Sequence, residues 1–191
     1  MIEKEYRQIK LLEEQRKAHY LSLKENKDKS HEIIGEQLYS KQSHFLFELI
    51  QNAEDEDATK INITVSDESL IFEHNGNPFS IKDVEAITTF GNNDRKKLKA
   101  NAIGRFGIGF KSVFNITQNP EIHSGHFHFK IKHYIIPEII GYEFLKTTRI
   151  ILPFKKRGRT KIIQGITNTL NHLDHSYILF LNNIKRITWE T

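Results

Sequence analysis

The sequence predicts an α/β domain built as a two-layer sandwich, in which helices cover one face of a mixed, mainly antiparallel sheet. Two observations carry this prediction. The hydrophobic pattern changes several times along the chain between helical spacing and strict alternation. Several predicted strands also follow one another through short turns. Strands joined in this way pair antiparallel, whereas a doubly wound parallel sheet needs a helical crossover between strands.

Composition limits the kinds of protein that this chain can be. Its 191 residues have room for one ordinary domain, and a 38% hydrophobic and 27% charged composition is typical of a folded globular protein. No apolar run approaches the roughly 20 residues that span a bilayer, and the charged N-terminus lacks the apolar core of a signal peptide. The absence of cysteine excludes disulfides and cysteine-based chemistry. We therefore expect an intracellular, cytoplasmic protein without a membrane segment.

The first predicted element is a helix over residues 3–26, which are rich in Glu, Lys, Gln and Leu and contain neither Gly nor Pro. Its thin apolar stripe includes Ile9 and Leu12, so we expect the helix to pack on the domain or on a partner. A polar break at 24–30 follows. We therefore divide the chain into an N-terminal helical arm, 1–30, and one domain, 31–191, and expect both to form the N-terminal part of a longer protein.

The next predicted elements are a hairpin flanked by two helices. Ser43 opens a helix with the sequence HFLFELIQNAEDEDA. The alternating residues 60–65 and the segment 70–73 predict two strands joined by a turn. Ser80 caps a short helix, SIKDVEAITTF, in which Asp83 completes a near capping box.

Strands dominate the second half of the chain. A basic loop over 91–104 leads into GRFGIGFKSVF, which predicts a glycine-rich turn that opens a helix. The strands that follow are EIHS, HFHFKIK, TTRIILPF and ILFLNNIKRITW, and a helix over 160–173 interrupts them. Trp189, near the end of the last apolar strand, is expected in the core.

Charge is distributed unevenly between the two halves. Residues 1–90 contain 11 Lys/Arg and 18 Asp/Glu, whereas residues 91–191 contain 17 and 6. A basic half can handle phosphates or nucleic acid, but the same counts arise when solvated faces happen to segregate by charge. The cluster KKRGR over 155–159 leaves the same two interpretations open, contact with nucleic acid or a solvated turn.

Three polar residues of the helix opened by Ser43, namely Glu48, Asn52 and Asp55, lie at spacings of four and three and so share one stripe. Two carboxylates and a carboxamide oxygen suit Mg²⁺ together with a water molecule to be activated. An ordinary amphipathic helix with a wet face explains the same pattern. The stripe alone therefore leaves both interpretations open.

The glycine-rich turn contains Gly104, Gly107 and Gly109 and runs into a helix. Glycines let backbone N–H groups approach a phosphate, the helix N-terminus adds its dipole, and Lys111 adds a point charge. The spacing G-x-x-G-x-G differs from both the dinucleotide fingerprint and the Walker motif. By itself this turn is weak support for phosphate binding.

Together, four segments resemble the sequence boxes of the GHKL superfamily, which comprises gyrase, heat-shock chaperones, histidine kinases and MutL. ELIQNAED resembles the E-x-x-x-N-A-x-D N-box, HNGNPF the D-x-G-x-G-M box, GRFGIGFKS the second glycine box and TTRIILPF the closing G-T strand. The segments HNGNPFS and IGRFGIGFKSVFNIT are most similar in sequence to the sacsin-like branch, whose well-known relatives are the ninety-kilodalton heat-shock chaperones. The resemblance covers about residues 43–155 and implies a Bergerat-type ATP-binding fold.

The resemblance also implies residue roles. Glu48 would be the general base that activates water on the γ-phosphate, Asn52 would bind the Mg²⁺ that bridges the phosphates, and Asp55 would support the ribose and adenine side. Thr148 would hydrogen-bond near the adenine, and residues 91–103 would form a mobile lid. The other implied nucleotide contacts are His74, Asn75, Gly76 and Phe79 in the first glycine box, and Gly104, Arg105, Phe106, Gly107, Ile108, Gly109, Phe110 and Lys111 in the second.

Three positions depart from the superfamily pattern. His74 stands where the pattern has the Asp that accepts the adenine amino proton, Pro78 replaces a glycine, and Thr147 replaces the glycine of the closing strand. A neutral imidazole accepts that proton in only one tautomer. We therefore expect a weaker preference for ATP over GTP, eroding further below about pH 6.5 if the ring titrates at its usual pKa.

The resemblance implies a domain that binds ATP and Mg²⁺ and hydrolyses ATP slowly, driving a conformational change in a larger chaperone-like or nucleic-acid-handling machine. Two alternatives remain, a nucleotide switch without turnover and a nucleic-acid-binding adaptor with a degenerate nucleotide site. The expected partners are ATP and further domains or a partner protein. The pattern also leaves room for a homodimer and for nucleic acid.

Overall fold

The computed structural model describes residues 2–26, 44–89, 109–173, 179 and 181–191. In chain order the described elements are α1 Ile2–Glu25, α2 His44–Asp55, β1 Lys60–Val65, β2 Ser69–His74, α3 Ile81–Ile87, the 3-10 helix η1 Phe110–Asn115, β3 Glu121–Gly125, β4 Phe127–Lys132, β5 Ile136–Gly141, β6 Leu145–Pro153, α4 Arg159–Asn171 and β7 Arg186–Glu190.

The described strands form one seven-stranded sheet in the order β5-β4-β3-β6-β2-β1-β7. The pairing is antiparallel throughout except between β1 and β7, which run parallel. The parallel pair forms because the chain crosses the sheet through α4 before it returns as β7. The predicted fold class, a mixed and mainly antiparallel sheet with helices, is confirmed.

The core lies between the helices and one face of the sheet. Alternation along β1 and β2 buries Ile61, Ile63, Leu70 and Phe72, and these residues share one cluster with the apolar side of α2. The opposite face carries charge, as in the 2.7 Å ion pair between Arg149 and Glu73. Ile9 and Leu12 of α1 belong to the same core cluster.

Helix α2 ends earlier than its sequence predicts. Asp57 adopts a left-handed φ of 58°, and two hydrogen bonds run backwards across the end, from the N–H of Asp57 to Glu54 O and from that of Ala58 to Ala53 O. This is the Schellman arrangement, in which an apolar contact usually accompanies the bonds. Here Ala53 and Ala58 are both buried. This C-terminal cap ends the helix abruptly and turns the chain toward β1.

Several predictions for the second half were wrong in detail. Strand β5 was missed, the last strand contains only Arg186–Glu190, and the helix after the glycines is a six-residue 3-10 turn. Trp189 is 38% exposed instead of lying in the core, because β7 is an edge strand of the sheet. Among the described helices, none combines the length and apolar character that a bilayer crossing requires.

Candidate functional site

Helix α2 places two of its three predicted site residues toward the interior. Asn52 is 8% exposed, and the side chain of Glu48 is 32% exposed. Asp55 ends the helix at the surface, where Gln51 Nε2 donates to its Oδ1 at 3.2 Å. The structure therefore groups Glu48 with Asn52 and sets Asp55 apart.

Asn52 carries a buried polar atom that no described residue satisfies. Its Nδ2 is shielded from solvent and makes no hydrogen bond with the part of the chain that the structure describes. Leaving such a group unpaired costs roughly 1–3 kcal/mol. A flip of the side chain exchanges the amide nitrogen and oxygen, so the unpaired end suits either a phosphate oxygen or a metal ion. A charged ligand at this position would recover the lost hydrogen-bond energy.

Glu48 lies directly against Gly109, the last glycine of the second glycine box. A Cβ atom at position 109 would lie 2.0 Å from Glu48 Oε2, so a side chain there would displace the carboxylate. The φ of Gly109 is an ordinary −61°, which means that glycine is required here for space. On the other side His44 Nδ1 lies 3.4 Å from Glu48 Oε1. The N-box and the second glycine box therefore meet at this carboxylate.

The turn after β2 is packed tightly against the end of α2. A Cβ atom at Gly76 would lie 2.4 Å from Glu56 O. Asn75 Oδ1 accepts hydrogen bonds from the backbone N–H groups of Thr59 and Lys60 at 2.9 and 2.8 Å, and its Nδ2 donates to Thr59 Oγ1 at 2.9 Å. The side chain of Asn75 thus closes the α2–β1 connection.

A polar row crosses three neighbouring strands on the buried face of the sheet. Thr148 of β6 pairs with His74 of β2 on one side and with Ser124 of β3 on the other, and all three residues are buried. The hydroxyls of Ser124 and Thr148 lie 2.5 Å apart, and the N–H of Phe79 donates to Ser124 Oγ at 2.9 Å. The structure therefore brings together His74, Phe79 and Thr148. Sequence reasoning missed Ser124, which lacks a motif of its own.

Burial determines the protonation of His74. It lowers the pKa of the imidazole from 6.5 to about 4, because a charged ring would lose its hydration. The neutral ring accepts the N–H of Gly76 at Nδ1, at 3.2 Å, and so carries its own proton on Nε2. The erosion of base preference below about pH 6.5 was expected only if the ring titrates at its usual pKa, and the lowered pKa of His74 does not meet that condition.

Lys111, predicted to contact phosphate, directs its ammonium group to backbone carbonyls. It is buried and donates to Ile87 O and, at 2.8 Å, to Tyr134 O. Burial, with a smaller contribution from Arg16, lowers the pKa of Lys111 to about 7. Its neighbour Phe110 packs in the core. That either residue contacts a nucleotide stays a prediction.

Glu54 is a residue that the sequence patterns did not single out. Its Oε1 accepts the N–H groups of Asn182 and Asn183 at 2.6 and 2.8 Å, and its Oε2 accepts that of Ile184 at 3.0 Å. Burial opposes ionisation, but these three donors and Lys185 outweigh it, so the pKa of Glu54 lies below its usual value. No local signal could have revealed partners about 130 residues away along the chain.

Part of the predicted site lies outside the described residues. This applies to the proposed lid, 91–103, and to the first part of the second glycine box, namely Gly104, Arg105, Phe106, Gly107 and Ile108. Within the described residues, the site consists of the Glu48–Asn52–Gly109 group and the row of His74, Thr148 and Ser124.

Comparison with known proteins connects this region to one family. Residues 65–133 match the Sacsin domain family. The matched span runs from the last residue of β1 to just beyond β4 and contains both glycine boxes. It excludes α2 and β6. The match covers about a third of the chain, so it supports a sacsin-like relationship for residues 65–133.

Three relatives extend the comparison. Protein NO VEIN of Arabidopsis thaliana is 28% identical over 83% of this chain and 7% of its own length. HgiDII of Herpetosiphon aurantiacus, provisionally named as a type II restriction enzyme, is 31% identical over 48% of this chain and 16% of its own. Chaperone protein HtpG of Chlorobium phaeovibrioides is 30% identical over 46% of this chain and 19% of its own. The chain thus spans less than a fifth of each relative.

Proposed function

We propose that this chain is a GHKL-type ATP-binding module that binds ATP with Mg²⁺, hydrolyses it slowly and drives a conformational change in a larger protein. The observation that carries the proposal is the unpaired amide of Asn52, one helical turn from Glu48, whose carboxylate lies against Gly109. Similarity to the Sacsin domain family and to the chaperone HtpG supports it.

The residues at this position fit a magnesium nucleotide. A carboxamide next to a carboxylate offers the oxygen ligands that Mg²⁺ takes, and the metal would neutralise phosphate charge when bound. Asn52 would hold the metal. Glu48, one turn earlier and partly exposed, would accept the proton of the attacking water. The space kept open by Gly109 lets backbone approach this carboxylate closely.

The polar row would receive the base. His74 Nε2 is a fixed donor because Gly76 occupies Nδ1. The hydroxyl pair of Ser124 and Thr148 donates or accepts according to which proton lies between them. This arrangement differs from a carboxylate at position 74, which only accepts. It would therefore recognise the base through a mixed set of donors and acceptors.

A nucleotide switch and a nucleic-acid-binding adaptor are the two alternatives to this proposal. A nucleotide switch without turnover would bind ATP through the same residues, but Glu48 would not act as a general base. A nucleic-acid-binding adaptor is favoured by the basic half of the chain and by the similarity to HgiDII. In each case the partners would be further domains of the same chain or a second protein, and a homodimer is one such arrangement. The chain would act in the cytoplasm.

Calorimetric titration with ATP, ADP and GTP, with and without Mg²⁺, tests the proposal. We expect Mg²⁺-dependent ATP binding that Asn52→Ala weakens by about 10-fold or more, the scale on which changes around a bound metal act. Gln51→Ala is the matched control, because Gln51 is exposed on the same helix. Equal Mg·ATP affinity in parent and Asn52→Ala would rule out the metal role. Salt-dependent nucleic-acid binding indifferent to ATP would favour the adaptor.

A further inference from the structure

A second cleft lies at the far end of the β2–β6 pair. It has a volume of about 680 Å³ and is formed by two segments, 117–119 and 153–157. The N–H of Lys155 donates to Ile116 O at 2.9 Å and holds these segments together. A volume of this size lies within the range of pockets that bind small molecules.

The register of β2 and β6 separates this cleft from the polar row. Pro153 pairs with Ser69 at one end of the two strands, and Thr148 pairs with His74 at the other. Five residues of extended strand span roughly 16 Å. A ligand in the cleft at Pro153 would therefore occupy a different site from a base at His74.

The lining of the cleft is basic and rich in amides. Its cations are Lys155, Lys156 and Arg157, its carboxamides are Gln118 and Asn119, and its apolar surface comes from Pro153 and Phe154. Among the residues that the structure describes, no acidic one lines it. Phe154 is 5% exposed. Three positive charges together at one opening attract an anion.

A buried hydroxyl that lines the cleft has no hydrogen-bond partner among the described residues. Thr117 lines the cleft and is 1% exposed, and its Oγ1 makes no hydrogen bond with any residue that the structure describes. Most buried polar atoms are paired, so an orphan needs an explanation. Nε of Arg159, two residues beyond the cleft, is likewise shielded and unpaired within the described chain.

The start of α4 adds to this electrostatic preference. The 13-residue helix begins at Arg159, and its N-cap is Gly158, which makes no side-chain capping bond. Free N–H groups and the positive end of the helix dipole favour an anion near such a terminus. The N-cap of this helix directly follows Arg157, the last residue of the cleft lining.

We propose that this cleft binds a nucleoside phosphate, either as a free nucleotide or as one unit of a nucleic-acid strand. The cations hold the phosphate, Gln118 and Asn119 hydrogen-bond the edge of the base, and Pro153 and Phe154 supply its apolar surface. Carboxamides that both donate and accept match the edges of bases. The KKRGR cluster is therefore the wall of a binding site and more than a solvated turn.

Two binding experiments on the whole chain distinguish a free nucleotide from a nucleic-acid strand as the ligand. The first measures fluorescence anisotropy of a labelled dodecathymidylate at 50 and 200 mM salt. The second follows amide resonances of residues 117–119 during titration with dTMP. We expect Lys156→Glu/Arg157→Glu to weaken oligonucleotide binding at least 10-fold and to reduce its salt dependence. The matched control, Lys4→Glu/Lys24→Glu, makes the same charge change on exposed residues of α1 and should leave binding within about twofold.

Each outcome decides the proposal. Loss of oligonucleotide binding in the cleft variant alone supports a strand as the source, and dTMP shifts without oligonucleotide binding support a free nucleotide. The proposal is overturned if dTMP leaves the amide resonances of residues 117–119 unshifted and the oligonucleotide does not bind. It is equally overturned if both charge variants lose binding alike, or if a polyglutamate peptide binds as tightly as the oligonucleotide.

Thr117→Val separates a ligand role from a structural one. Valine keeps the shape of threonine and removes a hydroxyl that has no partner in the described protein, so the melting temperature should stay level or rise. Binding of whichever probe occupies the cleft should fall several-fold, because the ligand loses a hydrogen bond. Unchanged affinity would contradict the role of Thr117, and a lower melting temperature would show that the hydroxyl is already satisfied within the fold.

Discussion

Helix α2 carries two glutamates in opposite circumstances. Glu54, near its C-terminal end, is buried and accepts three backbone hydrogen bonds from 182–184. Glu48, near its start, is partly exposed and lies beside the unpaired amide of Asn52. Both acids have the same chemistry and the same helical support. They differ in whether the protein itself satisfies them.

This difference separates structural from functional polar residues. A carboxylate with all its partners inside the protein stabilises the fold and has little capacity left for a ligand. A carboxylate beside an unsatisfied amide gives up stability and keeps its bonding capacity for something that arrives later. The comparison predicts that each residue fails in a different assay when it is removed.

Removing Glu54 should have the largest effect. Glu54→Ala leaves three backbone N–H groups without their acceptor, at roughly 1–3 kcal/mol each, so we expect a loss of about 3 kcal/mol or more and a melting temperature lower by about 6–12 °C. Asp55→Ala, at the exposed neighbouring position, is the control. Equal melting temperatures for Glu54→Ala and the parent would break the comparison.

The same carboxylate makes stability depend on acid. Because the folded pKa of Glu54 lies below its ordinary value of 4.5, its contribution is complete above that value and is lost as pH falls through the lower folded pKa. The gap in melting temperature between parent and Glu54→Ala should therefore shrink below about pH 4.5. A gap that stays constant into strong acid would mean that the charge contributes nothing.

Removing Glu48 should act on turnover instead. Glu48→Ala should lower the ATP hydrolysis rate about 10²-fold, the scale of losing a general base, while nucleotide affinity stays within several-fold and melting is unaffected. Single-turnover hydrolysis measures the rate, with Gln51→Ala as control. Hydrolysis at the parent rate would show that another group is the base. A parent without turnover would favour the nucleotide switch.

Lys111 extends the comparison to a buried cation. Its folded pKa of about 7 lies below the value of 10.5 for a free lysine, so between these values the unfolded chain binds a proton that the folded chain does not. Stability from this group should therefore rise with pH above about 7. Urea unfolding at pH 7 and pH 9.5 should show this rise in the parent and lose it in Lys111→Met. Lys82→Met, at an exposed position of α3, should keep the parent's slope.

His74 gives the smallest expected effect and tests the base side of the site. Because the ring stays neutral down to about pH 4, the ATP-to-GTP affinity ratio should be flat between about pH 5.5 and 8. His74→Asp should shift the choice toward adenine by roughly 1–3 kcal/mol, the range for one buried hydrogen bond satisfied or stranded. Competition binding measures both. The same ratio in parent and variant would place His74 away from the base.

Local pattern was sufficient for the parts of this fold that local chemistry determines. The spacing of Glu48 and Asn52 on one helix, the alternation of 60–65 and the capping box at Ser80 all follow from near neighbours. Trp189 was misplaced because exposure at an edge strand depends on sheet order, which sequence periodicity does not contain. Glu54 and Ser124 were missed because their partners are distant in the chain.

The hydrogen bonds that Glu54 accepts from 182–184 affect the order in which the fold forms during synthesis. The ribosome adds roughly 5–20 residues per second, starting from the N-terminus. Helix α2 is therefore made well before residues 182–184, whose N–H groups donate to the Glu54 carboxylate. Contacts between such distant residues form late, because closing the loop costs entropy first. Until then the helix that carries Glu48 and Asn52 has its local Schellman hydrogen bonds but lacks the three that Glu54 accepts from 182–184. A nascent chain that has not yet reached residue 184 would therefore contain the residues of the candidate site without the hydrogen bonds to Glu54.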